Sequence, residues 1–563
     1  MSIPFSLGGV SLRVMGQNSL TQLAAAAPND GRVLVILQMH GGNDGLNCCI
    51  PVAKYSEYYN ARPNIAIPAA NSLRKYVMLD SKLEENSQLG LHPDMIAMKG
   101  LYDQGRMAVV QGVSYMNNNG SHFRGRDIWF MGGSYNDYFD SGWVGRYLQG
   151  EYAPYQYPQD FPILDEAHKM EDPLAIELGS DVSLIFHQSG NIPTSFSLPD
   201  FESLEGLEGF DETNDPKGIP PEVLSGSRYY KELKWILDLE QKTEDYTAIL
   251  AKEYERGGKP SVTYPTSYPF NAPSGSLNSS LGGQMQTIAR LIAGGCKTKV
   301  FMAKIGGFDT HADQVEKYDT TMGGHAALMY HISMTMKAFQ EDLKARGLED
   351  RVLTITTSEF SRRVKSNGSY GTDHGTAGPM FIFGKGVVPG VHGEAFKTTA
   401  GGDNLAMQYD YRNVYANIMI DWMKVPKDRI PDIFPGATPD EGLDPNDPTS
   451  STTDGVKFQQ MSLAQQVITG NEGFIGDRFA LEECFPNPAK TQTTMHFRLN
   501  STYQVFLDLY DIEGQRVKSI ADGVYEPGEY KVETDLTGLP AGAYIYELKT
   551  GFYKDSKKLI IVK

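Results

Sequence analysis

Short runs of consecutive apolar residues recur along the chain, and each run is followed by a polar segment. The runs are VLVILQM from residue 33, MAVVQGV at 107–113, TKVFMAKI at 298–305, RVLTITT at 351–357 and PMFIFG from residue 379. They lack the alternation of a half-exposed strand, which is typical of strands buried on both faces of a parallel sheet. The pattern therefore predicts buried strands at all of these positions.

Segments with apolar residues at helical spacing separate these runs. PDMIAMKGLYDQG precedes the second run, Met285, Ile288 and Ile292 recur before the third, and a long stretch from about Gly324 to Arg346 precedes the fourth. DYRNVYANIMIDWMKV indicates a last helix. Strands that alternate with helices predict an α/β fold with a mostly parallel sheet flanked by helices.

Three regions depart from this alternation. Residues 150–275 are less regular and include a charged, amphipathic helix around Tyr229–Arg256, so we interpret them as a cap or insertion beside the sheet. Residues 1–30 are either part of an export signal without its basic beginning or a disordered arm. Residues 436–483 are rich in Pro, Asp, Ser and Thr, which indicates a linker. The α/β domain is then expected at 31–435.

From Cys484 to Lys563 the pattern changes to short strands separated by turns that contain Gly or Pro. The strands include TTMHFRL, YQVFLDLYD and GAYIYELKT, and the turns include DGVYEPG and TGLPAG. Regular short strands with such turns predict a small all-β, immunoglobulin-like sandwich as a second domain at 484–563.

The chain has 563 residues and a formal net charge of -18, with 69 acidic against 51 basic residues. This balance disfavours the phosphate backbone of a nucleic acid as a partner, and it is consistent with a secreted or surface protein. No apolar run reaches the length of a transmembrane helix. The four cysteines show no CxxC spacing, so we expect mostly buried thiols.

Polar residues with metal-binding side chains follow several of the predicted strands. Asn43 and Asp44 follow the first strand, Asp309 and His311 follow the third, and Glu359 follows the fourth. Because ligands of an open parallel sheet bind beyond the carboxyl ends of its strands, we expect these residues to meet at one edge. Any one cluster is more often a turn or a cap, but their recurrence at neighbouring strand ends indicates a site.

The glycine-rich segment GSYGTDHGTAG, residues 368–378, lies between the fourth and fifth strands. Its Asp373 and His374 belong either to a polar turn or to a metal or anion site. In an extended segment Asp309 and His311 point the same way, which allows them to bind one cation together. Oxygen and nitrogen ligands suit a divalent metal such as Zn, Mn, Ca or Mg, which polarises an ester oxygen or lowers the pKa of bound water.

The segment NNNGSHFRGRDIWF, residues 117–130, indicates a helix that begins after Ser121. Ser121 is either the helix N-cap or a nucleophile activated by a metal, and His122 is a candidate acid or ligand. Arg124 and Arg126 follow within the first turns, where they are candidates to clamp phosphate or sulfate.

Two further residues near strand ends are candidates for contact with a substrate. Arg362, which follows Glu359, is either a cation on the substrate side or an ordinary surface pair, and Asn43 is a second candidate. The expected substrate is a small-molecule or polysaccharide ester.

The motifs HGGNDGLN, GSHFRGRDIW, GGFDTHADQ, TSEFSRR and GTDHGTAGPMF occur in this order between Arg32 and Val425. Together they resemble a large bacterial family catalogued as domain of unknown function 1501, which looks like a remote branch of the alkaline phosphatase and sulfatase superfamily. The resemblance implies an alkaline-phosphatase-like α/β fold, with Ser121 in the place of the nucleophile. Members of the family usually carry export signals, which implies a signal upstream of Met1.

The superfamily pattern also implies metal sites. A first metal would lie near Asp309, His311 and His374. A second would lie near Asp44 and Glu359, although phosphatases of the superfamily usually have Asp-His where this chain has Glu-Phe.

The tail resembles a type IX secretion sorting domain of Bacteroidota through FPNPAK, LYDIEGQRV, LPAGAYIYEL and KKLIIVK. This resemblance implies that the type IX secretion machinery carries the protein across the outer membrane, followed by release or anchoring at the cell surface. A carbohydrate-binding or adhesion sandwich is the alternative, which the lack of an obvious aromatic platform in the tail disfavours.

Two hypotheses about function follow. The first is a secreted, metal-dependent hydrolase of phosphate or sulfate esters. A formylglycine sulfatase is disfavoured, because CIPVA at 49–53 lacks the Arg of the motif CxPxR. The second is a non-catalytic surface protein, for example one that binds polysaccharide, which retains the fold.

Overall fold

A computed structural model describes residues 31–70, 73–164, 169–198, 246–435, 461–465 and most of 479–562, together with the backbone of short strands Pro4–Leu7, Val10–Arg13, Ala437–Pro439 and Val456–Phe458. The chain divides into two compact units, residues 1–466 and 467–563. The domain boundaries expected from the sequence stay predictions. The charged helix expected from Tyr229 lies outside the described residues up to 245, and a helix covers 246–256.

The first unit contains a nine-stranded sheet, whose strands we number in chain order. They are β1 Val33–Met39, β2 Met107–Ser114, β3 Ala175–Leu178, β4 Ser195–Leu198, β5 Val300–Ile305, β6 Val352–Thr357, β7 Gly378–Phe383, β8 Gly390–His392 and β9 Tyr409–Asp410. The order across the sheet is β4-β3-β5-β1-β6-β7-β2-β8, and β9 also pairs with β2. β7 is antiparallel to both neighbours and the other pairings are parallel, so the predicted α/β class with a mostly parallel sheet is confirmed.

Side chains of the central strands alternate between two buried apolar clusters, one on each face of the sheet. In β1, Leu34 and Ile36 belong to one cluster, and Val35 and Leu37 belong to the other. All residues of β1 are buried. This burial on both faces explains why the strand reads as a continuous apolar run.

Helices cover both faces of the sheet. The first cluster includes side chains of helices His122–Met131, Trp143–Glu151 and Tyr411–Asp421, and the second includes side chains of helices Ile96–Asp103, Leu281–Gly294 and Gly324–Ala345. Shorter helices are Gly45–Cys48, Tyr55–Ala61, Ser274–Leu277 and Ile430–Ile433, with 3-10 turns at Glu85–Ser87, Pro93–Met95, Leu184–Phe186 and Lys427–Arg429. The helices expected before β2, β5 and β6 and the last helix are all present.

Residues 150–275 supply two strands of the sheet itself, β3 and β4, although the sequence led us to interpret this region as a cap or insertion beside the sheet. Each of these strands has four residues, AIEL and SFSL. Segments this short offer too few positions for a periodic pattern, so the sequence does not reveal them.

Smaller strands lie outside the main sheet of the first unit. Cys49–Pro51, Val77–Met78 and Leu89–Leu91 form a three-stranded sheet, His187–Gln188 pairs with Ile192–Pro193, and Arg362–Ser366 pairs with Thr372–His374. This last pair is a hairpin between β6 and β7, and it places Arg362 opposite His374. The hairpin contains much of the glycine-rich segment.

The second unit contains two antiparallel sheets. Phe479–Leu481, Gln492–Leu499 and Gly528–Asp535 form one, and Arg516–Tyr525, Tyr503–Tyr510, Gly542–Lys549 and Lys554–Ile561 form the other. Apolar side chains of both sheets, such as Phe497 and Tyr546, share one buried cluster. The predicted all-β sandwich is therefore confirmed.

Candidate metal centre

The loops that follow three parallel strands meet at one edge of the sheet. Backbone hydrogen bonds join them: Phe308 N–H donates to the His40 carbonyl oxygen over 3.2 Å, and Thr372 N–H donates to the Thr310 carbonyl oxygen over 3.0 Å. Helix His122–Met131, which follows β2, begins at the same edge. This is the edge where ligands of open parallel sheets bind.

Four potential ligand atoms lie close to one another at this edge. Nε2 of His374 lies 3.0 Å from Nε2 of His122 and 2.7 Å from Nε2 of His311. Oδ1 of Asp309 lies 3.3, 3.2 and 3.4 Å from the Nε2 atoms of these rings, in the order His122, His311 and His374. Tetrahedral donors at about 2.0–2.1 Å from a zinc ion are about 3.3 Å apart. The ligand atoms of His122, Asp309 and His374 are therefore close enough together to bind a single small divalent ion, and Nε2 of His311 lies next to two of them.

Each of the three imidazoles turns its other nitrogen toward an oxygen atom. Nδ1 of His122 lies 2.8 Å from Glu359 Oε1, and Nδ1 of His374 lies 2.7 Å from the Gly120 carbonyl oxygen. Nδ1 of His311 lies 3.3 Å from Asp373 Oδ1. A carbonyl oxygen or an ionised carboxylate only accepts, so Nδ1 carries the proton in each ring. The Nε2 atoms are left with lone pairs that face one another.

Asp309, Asp373 and His374 have shifted pKa values that favour the protonation states needed for metal binding. Burial alone would raise the pKa of Asp309, but the hydrogen bond and the charge of the Arg362 guanidinium hold it below its usual value. The hydrogen bond from Asn367 lowers the pKa of Asp373. Burial lowers the pKa of His374, which keeps its ring neutral at neutral pH. Ionised carboxylates and neutral imidazoles are the metal-binding forms.

Arg362 lies beneath the site and binds the loops that carry it. Its side chain is buried, and it donates to Asp309 Oδ1 over 2.7 Å. It also donates to four backbone carbonyl oxygens, those of Gly42 at 2.8 Å, Phe308 at 3.0 Å, Thr372 at 3.1 Å, and Gly41. Buried beneath the loops in this way, Arg362 presents no surface to a substrate.

Two glycines allow the loops to approach closely. Gly41 has a φ of +118°, and a Cβ atom there would lie 2.5 Å from the backbone nitrogen of Asp309. A Cβ atom on Gly371 would lie 2.4 Å from the carbonyl carbon of His311. Larger residues would push apart the segments that hold the ligand atoms, which explains glycine at both positions.

Glu359 lies behind His122 rather than among the four ligand atoms. Its Oε1 atom accepts from Nδ1 of His122 and from the backbone N–H of Gly41, the latter over 2.9 Å. Its Oε2 atom is buried and has no hydrogen-bond partner among the described residues. A carboxylate in this position orients a ligating imidazole and increases its basicity.

Asp44 and Asn43 are engaged in a buried polar network. Both oxygens of Asp44 accept from Nη1 of Arg62, over 2.9 and 2.8 Å, and Oδ2 also accepts from Gln314 over 2.6 Å. Burial would raise the pKa of Asp44, but Arg62 and the other partners hold it below its usual value. Asn43 Oδ1 accepts from Nε2 of His325 over 3.1 Å. Neither residue belongs to the group of four atoms, and the second metal expected near Asp44 stays a prediction.

Ser121 lies beside the group of four atoms. It stands between Gly120, whose carbonyl oxygen binds His374, and His122 itself. Its Oγ atom accepts from the backbone N–H of Arg124 over 3.3 Å, so it caps the helix. The capping role is present, and the role of nucleophile stays a prediction.

Arg124 and Arg126 are directed along the helix surface. Nη2 of Arg124 donates to the carbonyl oxygens of Tyr135 and Asp137 over 2.7 and 2.6 Å, and the guanidinium lies 3.9 Å from the ring centroid of Tyr138. The Arg126 guanidinium lies 6.0 Å from the ring centroid of its neighbour Phe123. Arg124 therefore binds the segment that follows the helix, and substrate binding by either residue stays a prediction.

The sequence did not reveal the roles of Arg362 and of the Gly120 carbonyl oxygen, which orient Asp309 and His374. A buried arginine that binds carbonyl oxygens looks like any other arginine in a sequence, so Arg362 was a candidate for substrate binding. The carbonyl oxygen of Gly120 has no sequence signal, although the NNNG that precedes Ser121 marks an unusual backbone. His122 was a candidate acid or ligand, and its Nε2 atom lies among the four.

Two family models match the chain. One, described as "Protein of unknown function (DUF1501)", matches residues 232–424, and the other, described as "Secretion system C-terminal sorting domain", matches residues 483–562. Both resemblances inferred from the sequence motifs are thus confirmed over these residues. No curated protein matches the chain. The sorting domain implies secretion by the type IX system, and no helix among the described residues has the length and apolar character to cross a membrane.

Solved structures are similar to the chain at low TM-scores. A sulfatase, PsFucS1 from Pseudoalteromonas sp., is 11% identical, with 92% of this chain and 86% of that chain covered and a TM-score of 0.31. The alkaline phosphatase from the Antarctic bacterium TAB5 is 12% identical, with coverages of 65% and 95% and a TM-score of 0.26. Dimeric latent PorU from Porphyromonas gingivalis is 23% identical, with a TM-score of 0.13. That match covers 15% of this chain and 9% of the PorU chain. Similarity at such TM-scores is too low to carry a functional conclusion.

Proposed function

We propose that this chain is a secreted, metal-dependent hydrolase of phosphate or sulfate esters. The observation that carries the proposal is the convergence of Nε2 of His122, Nε2 of His374 and Oδ1 of Asp309, which lie 3.0–3.4 Å from one another. Nε2 of His311 joins them at 2.7 Å from His374 Nε2 and 3.2 Å from Asp309 Oδ1. Three nitrogen lone pairs and a carboxylate oxygen are a donor set that suits zinc or manganese.

The residues fit a bound cation better than they fit an empty site. Three imidazoles that hold their protons on Nδ1 would place unshared Nε2 lone pairs against one another, and only a proton or a metal ion between them removes that repulsion. Burial lowers the pKa of His374, which disfavours the extra proton. A divalent ion bound here supplies polarisation of an ester oxygen and a lower pKa for bound water.

Two residues of the chain are then candidates for attack on the ester and for binding its anion. Ser121 is our candidate nucleophile, because its hydroxyl stands beside His122 at the start of a helix whose N-terminal N–H groups favour an anion. Arg363, rather than the buried Arg362, is our candidate for the cation that contacts the ester anion. It is exposed, and its Nε atom donates to the His374 carbonyl oxygen over 3.3 Å.

The proposal is tested by hydrolysis of aryl phosphates and aryl sulfates by the full chain, supplied in turn with zinc, manganese, magnesium and calcium. We expect one ester class to be hydrolysed with at least one of these ions, and we expect chelation to abolish the reaction. His374→Ala should reduce kcat/KM by more than about 100-fold, because loss of an outer-shell partner alone costs 10–100-fold. No hydrolysis of either ester class by metal-loaded protein would contradict the proposal.

A second function, binding without catalysis, is favoured by one observation. Arg124 and Arg362, which were expected to meet the anion, both donate to backbone carbonyl oxygens instead. A surface protein that binds polysaccharide through a metal would need neither. A glycan-binding screen with metal-loaded protein tests this alternative. If no glycan binds, the alternative is contradicted.

A further inference from the structure

A second group of potential metal ligands lies away from the centre described above, under the helix at 246–256. Asp172 precedes β3, Glu253 lies on that helix, and Cys296 follows helix Leu281–Gly294. One ligand atom from each residue lies within 4.8 Å of the others. All three residues are buried, with exposures of 4%, 4% and 1%.

Close packing of the two helices fixes this arrangement. A Cβ atom on Gly294 would lie 1.8 Å from the carbonyl oxygen of Glu253, and a Cβ atom on Gly257 would lie 2.0 Å from the carbonyl oxygen of Arg290. Only glycine permits the helices to approach so closely at both points. The approach directs the Glu253 carboxyl group toward the Cys296 thiol at the end of the second helix.

The charges in this cluster are poorly balanced by the protein itself. The Oε2 atom of Glu253 is buried and has no hydrogen-bond partner among the described residues. Oδ2 of Asp172 accepts from the backbone N–H of Lys297 over 2.8 Å. The guanidinium of Arg256 lies 3.5 Å from Glu253 Oε1, but its side chain is 64% exposed, so it compensates the buried carboxylate weakly.

Such a cluster must take up either protons or a cation. Burial, together with the charge of Asp172, raises the pKa of Glu253 to about 8, and burial raises the pKa of the Cys296 thiol well above its usual value. A single divalent ion would replace those protons and bind the oxygen atom that lacks a partner. In zinc sites the Zn–S distance is about 2.3 Å and the Zn–O distance about 2.0–2.2 Å, so a tetrahedral ion holds its sulfur and oxygen ligands about 3.6 Å apart, which is compatible with atoms that lie within 4.8 Å of one another here.

We propose that Asp172, Glu253 and Cys296 form a second divalent metal site, with a preference for zinc or cobalt over magnesium or calcium. A sulfur ligand beside two carboxylates favours these softer ions. The ion would join the helix at 246–256 to the end of helix Leu281–Gly294 and to the segment before β3, which makes it a structural site. The proposal is independent of the proposed function, because none of its ligands lies at the edge that holds His374.

Cobalt distinguishes the two sites, because only the second contains a thiol. The full chain is loaded with cobalt(II) and its near-ultraviolet absorption is measured in the wild type and in His374→Ala, which lacks a ligand of the first centre. Both are expected to show the thiolate-to-cobalt charge-transfer band, and Cys296→Ser is expected to lose it. Cys49→Ser is the matched control, since Cys49 is another buried, unpaired cysteine, and it should keep the band.

Glu253→Gln is a second variant that preserves the size of the side chain, so it tests the site even if Cys296→Ser does not fold. It should retain the wild-type circular dichroism spectrum and lose about one equivalent of bound cobalt. Absence of the charge-transfer band in the cobalt-loaded wild type would overturn the proposal, and so would persistence of the band in Cys296→Ser. In either case the three groups hold protons instead, whatever the first centre binds.

Discussion

The Nε2 atoms of His311 and His374 lie 2.7 Å apart, although the Nδ1 atom of each ring faces an oxygen atom that accepts a hydrogen bond. Two neutral imidazoles arranged in this way oppose their lone pairs. A proton or a metal ion between the rings makes the contact favourable, and the lowered pKa of His374 disfavours the proton.

Substitution of Glu359 tests the support behind the ligands. In Glu359→Gln, the carboxylate that accepts from Nδ1 of His122 becomes a neutral amide, so the ring loses basicity and a fixed orientation. We expect metal affinity to fall roughly 10–100-fold, as measured by competition with a chelator. Glu349→Gln is the control, because Glu349 pairs with Arg106 and Lys385 instead, and it should leave the affinity unchanged. Equal affinities in Glu359→Gln and wild type would refute this role.

Substitution of Arg362 tests whether the loops depend on a buried guanidinium. Lysine cannot reproduce the branched donors that bind several carbonyl oxygens and Asp309 at once. We expect Arg362→Lys to lower the free energy of unfolding by about 1–3 kcal/mol, the cost of leaving buried carbonyl oxygens without donors. Arg363→Lys, at the exposed neighbour, should change it by less than about 0.5 kcal/mol. Urea denaturation measures both, and similar values for the two variants would contradict the prediction.

Two substitutions at Ser121 separate its two roles. Ser121→Asn removes the hydroxyl but keeps a good helix cap, whereas Ser121→Ala removes both. If Ser121 is the nucleophile, both variants lose kcat by several orders of magnitude. Only Ser121→Ala should also lose stability, by about 1 kcal/mol. An active Ser121→Asn enzyme would leave the residue with its capping role alone.

The buried His325 predicts a loss of stability in mild acid. Burial lowers its pKa to about 4, whereas an exposed imidazole in the unfolded chain has a pKa near 6.5. The unfolded chain therefore takes up a proton first as the pH falls. The contribution of His325 to the free energy of unfolding is therefore most favourable above pH 6.5, and it falls by up to about 2 kcal/mol between pH 6.5 and 5.

This pH effect is measured by urea denaturation of wild type and His325→Gln at several pH values. His92 has a lowered pKa for the same reason and should leave part of the effect in the variant. A slope with pH that is identical in the two proteins would contradict the assignment to His325.

The fold was largely predictable because burial on both faces leaves continuous apolar runs. β1, β5 and β6 have this pattern, and polar residues directly after them indicated the correct edge of the sheet. β3 and β4 escaped prediction, since four residues cannot establish a period.

The candidate site was predictable only as a set of residue types. Asp309, His311 and His374 were grouped from spacing and resemblance, and the structure brings them together with His122. The buried partners of Asp44 and Arg362 decide where those side chains point. Several of these contacts, such as those of Asp44 with Gln314 and of Arg362 with Gly42, join segments far apart in the chain and leave no local signal. For the same reason the sequence did not reveal the cluster around Cys296, whose members come from three separate segments.

Elemental analysis of bound metal tests the central claim most directly. The full chain is expressed in metal-replete medium, and the metal content per chain is compared for wild type, His374→Ala and the control His187→Ala, whose ring lies elsewhere and contacts Asn191. Convergence of His122, His311, His374 and Asp309 on one cation predicts that His374→Ala contains about one equivalent less than wild type and His187→Ala. Equal metal content in wild type and His374→Ala would contradict it.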